Sequence, residues 1–283
     1  MVNGIVFDRV LSVGINYVGT NSQLNGCIND IINLKKVTKA KSYVVMTELS
    51  GHKYLRPKRA NIIAQIKKFT TGVKPGMNLL FQYSGHGSHT RDANNDEADG
   101  RDETICPLDY SKAGMIKDDD LRKLLIDPLP EGCNLWCIMD CCHSGTIMDL
   151  ANTYQIKNRN IKNNDKDNKD NKKKNKRRYV KEISKTIPLT NCQVICFSGC
   201  LDTQFSADAY IGRTYQGAMT WGILESLKYL KRRRKLLTYR NIMRHLLKLL
   251  KNSGYDQIPQ ISSGKPLNLD TEFTPVELKK KQK

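Results

Sequence analysis

Residues 134–150 read NLWCIMDCCHSGTIMDL, and this stretch organises the rest of the chain. It begins with an apolar run, Leu135-Trp136-Cys137-Ile138-Met139, of the length expected for a strand buried on both faces. The run stops at Asp140-Cys141-Cys142-His143-Ser144-Gly145, a polar cluster closed by glycine. In an open parallel sheet, reactive groups collect just beyond the carboxyl ends of the strands. A cysteine there is a candidate nucleophile. Strand alternation puts Asp140 and Cys142 on one side and Cys141 on the other, so Cys141 reads as a packing residue.

Working outward, strand-like and helix-like segments alternate. Arg9–Ile15 reads as a strand, Asn25–Lys39 as an amphipathic helix, Ser42–Thr47 as a strand, Ala60–Phe69 as a helix and Met77–Tyr83 as a third strand. Asp118–Leu125 reads as a short helix with acids at its positive end, and residues 135–139 as the fourth strand. Further on come a strand at Gln193–Ser198, helices at Gly217–Leu230 and Thr238–Leu250, and a short strand at Gln260–Ser263. This alternation predicts an α/β fold, a mostly parallel central sheet with helices on both faces. A polar loop, Ser88–Gly114, interrupts it with seven acidic residues.

Composition narrows the class. The 283 residues carry a formal charge of +19, but residues 157–181 alone hold twelve Lys/Arg against three Asp. A Lys/Asn tract whose one aromatic is Tyr179 offers little to stack on bases and reads as a solvated linker, so no specific nucleic-acid partner is expected. The reading is a large part at 1–155, a basic linker or insertion at 156–187 and a small part of the same domain at 188–283. Nine cysteines without paired spacing suggest free thiols in a reducing compartment, and no C-x-x-C motif supports a zinc site. Neither a secretory signal nor an apolar run of membrane-spanning length is seen. The expectation is a cytoplasmic protein without a membrane partner, with nuclear access possible through its basic runs.

A thiol needs a base to become the attacking thiolate. His143 adjoins Cys142, and neighbours in extended chain point opposite ways. His86, between Gly85 and Gly87, leaves the end of one predicted strand as Cys142 leaves another. If those strands are adjacent, the two side chains meet. The spacing from His86 to Cys142 is 56 positions, histidine first, in agreement with the caspase arrangement.

Tyr83-Ser84-Gly85-His86-Gly87 and Asp140-Cys141-Cys142-His143-Ser144-Gly145 resemble the two signature blocks of the metacaspases, caspase-fold cysteine peptidases. The resemblance continues through Asp99–Glu103, Pro107–Asp109, Phe197–Cys200, Gln204–Ala209 and Gly217–Leu227. The order, large part before small, is like the type I family, without the Pro/Gln-rich segment common there. The resemblance implies a caspase-like three-layer sandwich, with Cys142 as nucleophile, His86 as its base and the amides of Gly87 and Cys142 as an oxyanion hole. It implies a substrate pocket of Asp30 and Asp140, lined also by Cys27 and Ser84, selecting Arg or Lys side chains by charge-assisted hydrogen bonds. It implies stimulation by calcium held at Asp102, Asp118, Asp119 and Asp149, no organic cofactor, and a monomer acting on proteins or peptides. An Arg/Lys-specific enzyme would also cleave its own basic tract between Lys157 and Lys185. The competing class is an inactive caspase-fold binding protein that docks acidic partners through that tract.

Overall fold

The computed structural model describes residues 5–51, 54–91, 101–142, 146–157, 178–199, 208–211, 214–255 and 257–273. The chain opens with β1 (Ile5–Gly14), α1 (Cys27–Val37), β2 (Thr38–Thr47), α2 (Arg59–Thr70) and β3 (Asn78–Ser84). A smaller set follows: β4 (Gly87–Arg91), β5 (Arg101–Ile105), α3 (Tyr110–Ala113), β6 (Ile116–Lys117) and α4 (Asp118–Leu121). The last runs into a π-helical turn, Arg122–Ile126. Then come β7 (Asn134–Asp140), β8 (Asn152–Lys157), β9 (Arg178–Ile183), β10 (Gln193–Ser198), β11 (Asp208–Ile211) and β12 (Thr214–Gly217). The chain closes with α5 (Ala218–Arg232), α6 (Tyr239–Asn252) and β13 (Gln260–Ser263).

Eight strands form one sheet in the order β2-β1-β3-β7-β10-β13-β8-β9. The pairings from β2 through β10 are parallel. Those joining β10, β13, β8 and β9 are antiparallel. Strands from both sides of the basic tract therefore share one sheet.

Period-two alternation sorts the strands' side chains onto the two faces. Leu79, Phe81, Leu135, Cys137 and Met139 enter the core beneath α2 and the π-helical turn. Leu80, Trp136, Ile138, Ile195 and Phe197 enter the core beneath α5 and α6. Each fully buried Leu or Ile stabilises the fold by about 1.5–3 kcal/mol relative to exposure. The resulting three layers are the predicted α/β sandwich. On the second face, Tyr239, Ile242, Met243, Leu246 and Leu250 of α6 are buried at helical spacing. Thr238 caps that helix, its side chain accepting from Asn241 N–H. At the other end of the chain, α1 stops where Thr38 turns extended and its hydroxyl donates to the Leu34 carbonyl at 2.8 Å.

Two segments carry more structure than their sequences suggest. The acid-rich loop contains the β4–β5 hairpin, whose polar residues give no apolar alternation to read. At the margins of the basic tract, Asn152–Lys157 and Arg178–Ile183 pair as β8 and β9. These strands extend into 156–187, which the composition marks as linker.

Candidate active site

The carboxyl ends of β1, β3 and β7 lie side by side, where strand order turns back on itself. Between β3 and β7 every partner pair differs by the same offset, from Asn78↔Asn134 to Ser84↔Asp140, or 140 − 84 = 56. That is also the spacing of His86 and Cys142, so both leave the sheet at the same level. A hydrogen bond from Gly85 N–H to the Asp140 carbonyl, 3.3 Å, continues the contact past the strand ends. At the next step a Cβ on Gly87 would lie 2.0 Å from the Cys142 carbonyl oxygen and 3.3 Å from its nitrogen. Only glycine allows these two backbones to approach so closely.

Cys142 is half-buried, whereas every other cysteine among the described residues is buried. Cys141 is part of the core beneath α2. Burial pushes the Cys106 and Cys196 thiols up to about 12, which leaves them unreactive at neutral pH. His86 Nε2 lies 2.7 Å from the Ser22 carbonyl oxygen. A carbonyl can only accept, so Nε2 carries the hydrogen and Nδ1 is the basic nitrogen of the neutral ring. His89 stands in β4 opposite Glu103, and His245 stacks on Tyr229 between α6 and α5. His52 and His143 lie outside the described residues.

Asp30 comes from α1 and Asp140 from the end of β7, and both are almost completely buried, at 1% and 4% exposure. They converge at Gly217, just before α5. Asp30 Oδ1 accepts from Gly217 N–H at 2.8 Å, and Asp140 Oδ2 accepts from Thr220 N–H at 2.8 Å. The two carboxylates thus satisfy amides of a helix N-terminus, where negative charge is favoured. A Cβ on Gly217 would fall 2.2 Å from Asp140 Oδ2 and 2.6 Å from Asp30 Oδ2, so both acids press against one bare backbone position. Cys27 opens α1 one turn before Asp30, and Ser84 pairs with Asp140 across the sheet. Ser84 is fully buried, and its hydroxyl has no hydrogen-bond partner among the described residues.

The second acidic group lies around β6 and α4. Asp102 is ion-paired with Lys117. Asp118 accepts from Glu103 N–H at 2.6 Å and Asp119 N–H at 2.8 Å. Burial, reinforced by the charge of Asp102, raises Asp118 to about 6. Asp119 and Asp149 line a cleft of about 240 Å³ with Arg122, Thr186 and Pro188. Asp149 has a left-handed backbone, φ 44°. The oxygen donors are of the kind that suits a hard cation. Among the described residues no three His, Cys, Asp or Glu side chains are grouped to hold an ion. The acids at 92, 96, 97 and 99 lie outside the described residues.

Residues 8–151 match the family described as Metacaspase, peptidase C14 domain. Metacaspase-1 of Mycosarcoma maydis is 34% identical over 94% of this chain and 72% of its own length. Metacaspase-1 of Schizosaccharomyces pombe is 31% identical over 93% of this chain and 68% of its own. The chain belongs to the metacaspase family. It is a cysteine peptidase of the caspase fold, and its substrates are proteins. Among solved structures, protein GSU0716 from Geobacter sulfurreducens shares the fold, with TM-score 0.59 at 22% identity over 96% of this chain and 98% of that one. Among the described residues, no helix is long and apolar enough to cross a membrane.

Two residues beside the candidate site of this metacaspase escape a reading of the sequence. Gly217 looks like an ordinary helix start, and only its contact with both carboxylates reveals its place. Gln82 is fully buried on the same sheet face as Ser84 and Asp140, and its amide has no partner among the described residues. Its signal was available: a lone polar side chain inside the apolar strand Leu79-Leu80-Phe81-Gln82-Tyr83.

Proposed function

We propose that this metacaspase cleaves peptide bonds after Arg or Lys, with Cys142 as nucleophile and His86 as general base. The observation that carries the reading is the pair of buried carboxylates meeting at Gly217, one of them two residues from Cys142. A guanidinium or ammonium entering between them would find two negative charges, with the buried Ser84 hydroxyl and Gln82 amide nearby on the same face. An acidic side chain would be repelled. In the reaction, Nδ1 of His86 takes the Cys142 proton, and the thiolate adds to the carbonyl carbon. Backbone N–H groups of Gly87 and Cys142 stabilise the oxyanion. The imidazolium then gives its proton to the departing amine, and water, activated by the same histidine, hydrolyses the thioester.

Calcium stimulation and self-cleavage belong to the same reading. Asp102, Asp118, Asp119 and Asp149 would supply carboxylate oxygens, and Lys117 would have to release Asp102 first. Asp119, Asp149 and the segment Thr186–Pro188 share one cleft, so the acidic corner touches the end of the basic tract. Within that tract Lys185 is exposed just past β9, a better target than the paired strand itself. The test is hydrolysis of fluorogenic Arg, Lys and Asp peptides with calcium and with chelator, for wild type and Cys142→Ala. The reading expects cleavage after Arg or Lys only, greater with calcium, and fragmentation of wild type alone. Equal cleavage of the Asp peptide, or equal fragmentation of both proteins, would overturn it.

A further inference from the structure

We infer that Tyr17 is a positioning residue for His86, and that Glu48 locks Tyr17 in place. The inference rests on His86 being the base, and it concerns what holds that base still.

Tyr17 is fully buried and has φ 53°, a left-handed conformation that a bulky side chain adopts only when its surroundings impose it. The imposing group is the carboxylate of Glu48. Its Oε2 accepts from Asn16 N–H at 2.5 Å and Tyr17 N–H at 2.9 Å, and its Oε1 accepts from Val18 N–H at 2.9 Å. Three successive amides on one carboxylate form an anion-binding turn. The turn leads into the loop that supplies Ser22, whose carbonyl holds His86 Nε2.

From this turn the Tyr17 ring lies against the His86 imidazole, with centroids 4.7 Å apart. Its hydroxyl accepts from His86 N–H at 3.0 Å and donates to the Cys106 carbonyl at 2.6 Å. Tyr83 makes the reverse bridge, donating to the His86 carbonyl at 2.8 Å and accepting from Cys106 N–H at 3.1 Å. Two phenols thereby fasten both sides of the His86 peptide to Cys106. Only Tyr17 also touches the imidazole. Burial raises both phenols well above their usual range, so the bridge persists throughout the working pH. The side chain of His86 is thus held at three points, by the Tyr17 face, the Ser22 carbonyl and its own clamped backbone. Such support matters because a base displaced by about 1 Å can cost on the order of a hundredfold in rate.

The experiment follows alkylation of Cys142 by iodoacetamide against pH, read by peptide mass spectrometry, beside steady-state kinetics. Wild type, His86→Ala, Tyr17→Phe and Glu48→Gln are compared. In Tyr17→Phe, kcat is expected to fall about tenfold with KM nearly unchanged, and the Cys142 titration to move toward that of His86→Ala. Glu48→Gln, made at a partly exposed position, should move both in the same direction by a smaller factor. It carries the test should Tyr17→Phe fail to fold. A lower melting temperature with a wild-type titration and kcat would mean that Tyr17 only supports the fold, and would overturn the inference. A wild-type titration in His86→Ala would instead remove His86 as the base, and the inference with it.

Discussion

Asp30 and Asp140 at the strand ends differ from Asp102, Asp118, Asp119 and Asp149 around β6 in the groups seen bonded to them. The first pair is buried and accepts hydrogen bonds from amides at the α5 N-terminus. Asp102 in the second group is joined to an ammonium within the fold, Lys117, and Asp149 has Arg122 bonded to its backbone carbonyl. Amides stabilise a carboxylate without cancelling its charge, and in the proposed function that charge acts on an incoming cationic side chain. The ammonium in the second offsets the charge of Asp102. In the proposed function one acidic group recruits a cationic side chain, and the other takes up a cation only in competition with Lys117.

The largest effect should come from breaking the first pair. Asp30→Ala or Asp140→Asn should lower kcat/KM for Arg peptides on the order of a hundredfold, because one partner of a buried charge pair is lost. Peptides with an uncharged residue at that position should change far less. If Arg preference survives in both variants, the carboxylates are helix caps only, and the contrast with the second group disappears. Loss of a cap alone would cost about 1 kcal/mol of stability, so melting curves separate the two outcomes. Next in size is Gly217→Ala. The added Cβ would meet Asp140 Oδ2 at 2.2 Å and Asp30 Oδ2 at 2.6 Å. Overpacking of this kind costs roughly 1–3 kcal/mol, and Arg cleavage should fall with it. Unchanged kinetics and melting would show that α5 can retreat, and that the acids are less tightly held than their hydrogen bonds indicate.

These contrasts bear on what a sequence can convey. The eight-stranded sheet was legible wherever burial writes a pattern: two-faced strands such as β7 and amphipathic helices such as α6. Spacing alone suggested that His86 and Cys142 meet, because two adjacent parallel strands of equal length preserve their offset. The β4–β5 hairpin and the β8–β9 pair were not legible. Their stability comes from backbone ladders and from edges supplied by distant strands, and polar side chains record neither. Charge balance was equally hidden. Asp30, Asp102 and Asp140 are identical letters, and nothing near Asp102 in the chain announces Lys117, fifteen residues on across a strand pairing (117 − 102 = 15). Tyr17 escaped for a similar reason, since its place depends on Glu48 from another strand end.

The smallest effect expected is at Lys117, and it tests the other half of the contrast. Its ammonium is bonded to Asp102, and the charges of Asp102, Asp118 and Asp119 together raise its pKa. Lys117→Met keeps most of the side chain's bulk and removes the charge. In chelator the variant should melt at a lower temperature, because Asp102 loses its counter-ion while remaining buried. A divalent cation would no longer compete with the ammonium, so calcium affinity should rise by about tenfold, equivalent to about 1.4 kcal/mol. Isothermal titration on a Cys142→Ala background measures this without self-cleavage. Tighter binding in Lys117→Met would show that the ammonium and the cation share one place. Equal binding in both proteins would put the cation elsewhere, and the two acidic groups would then differ only in depth.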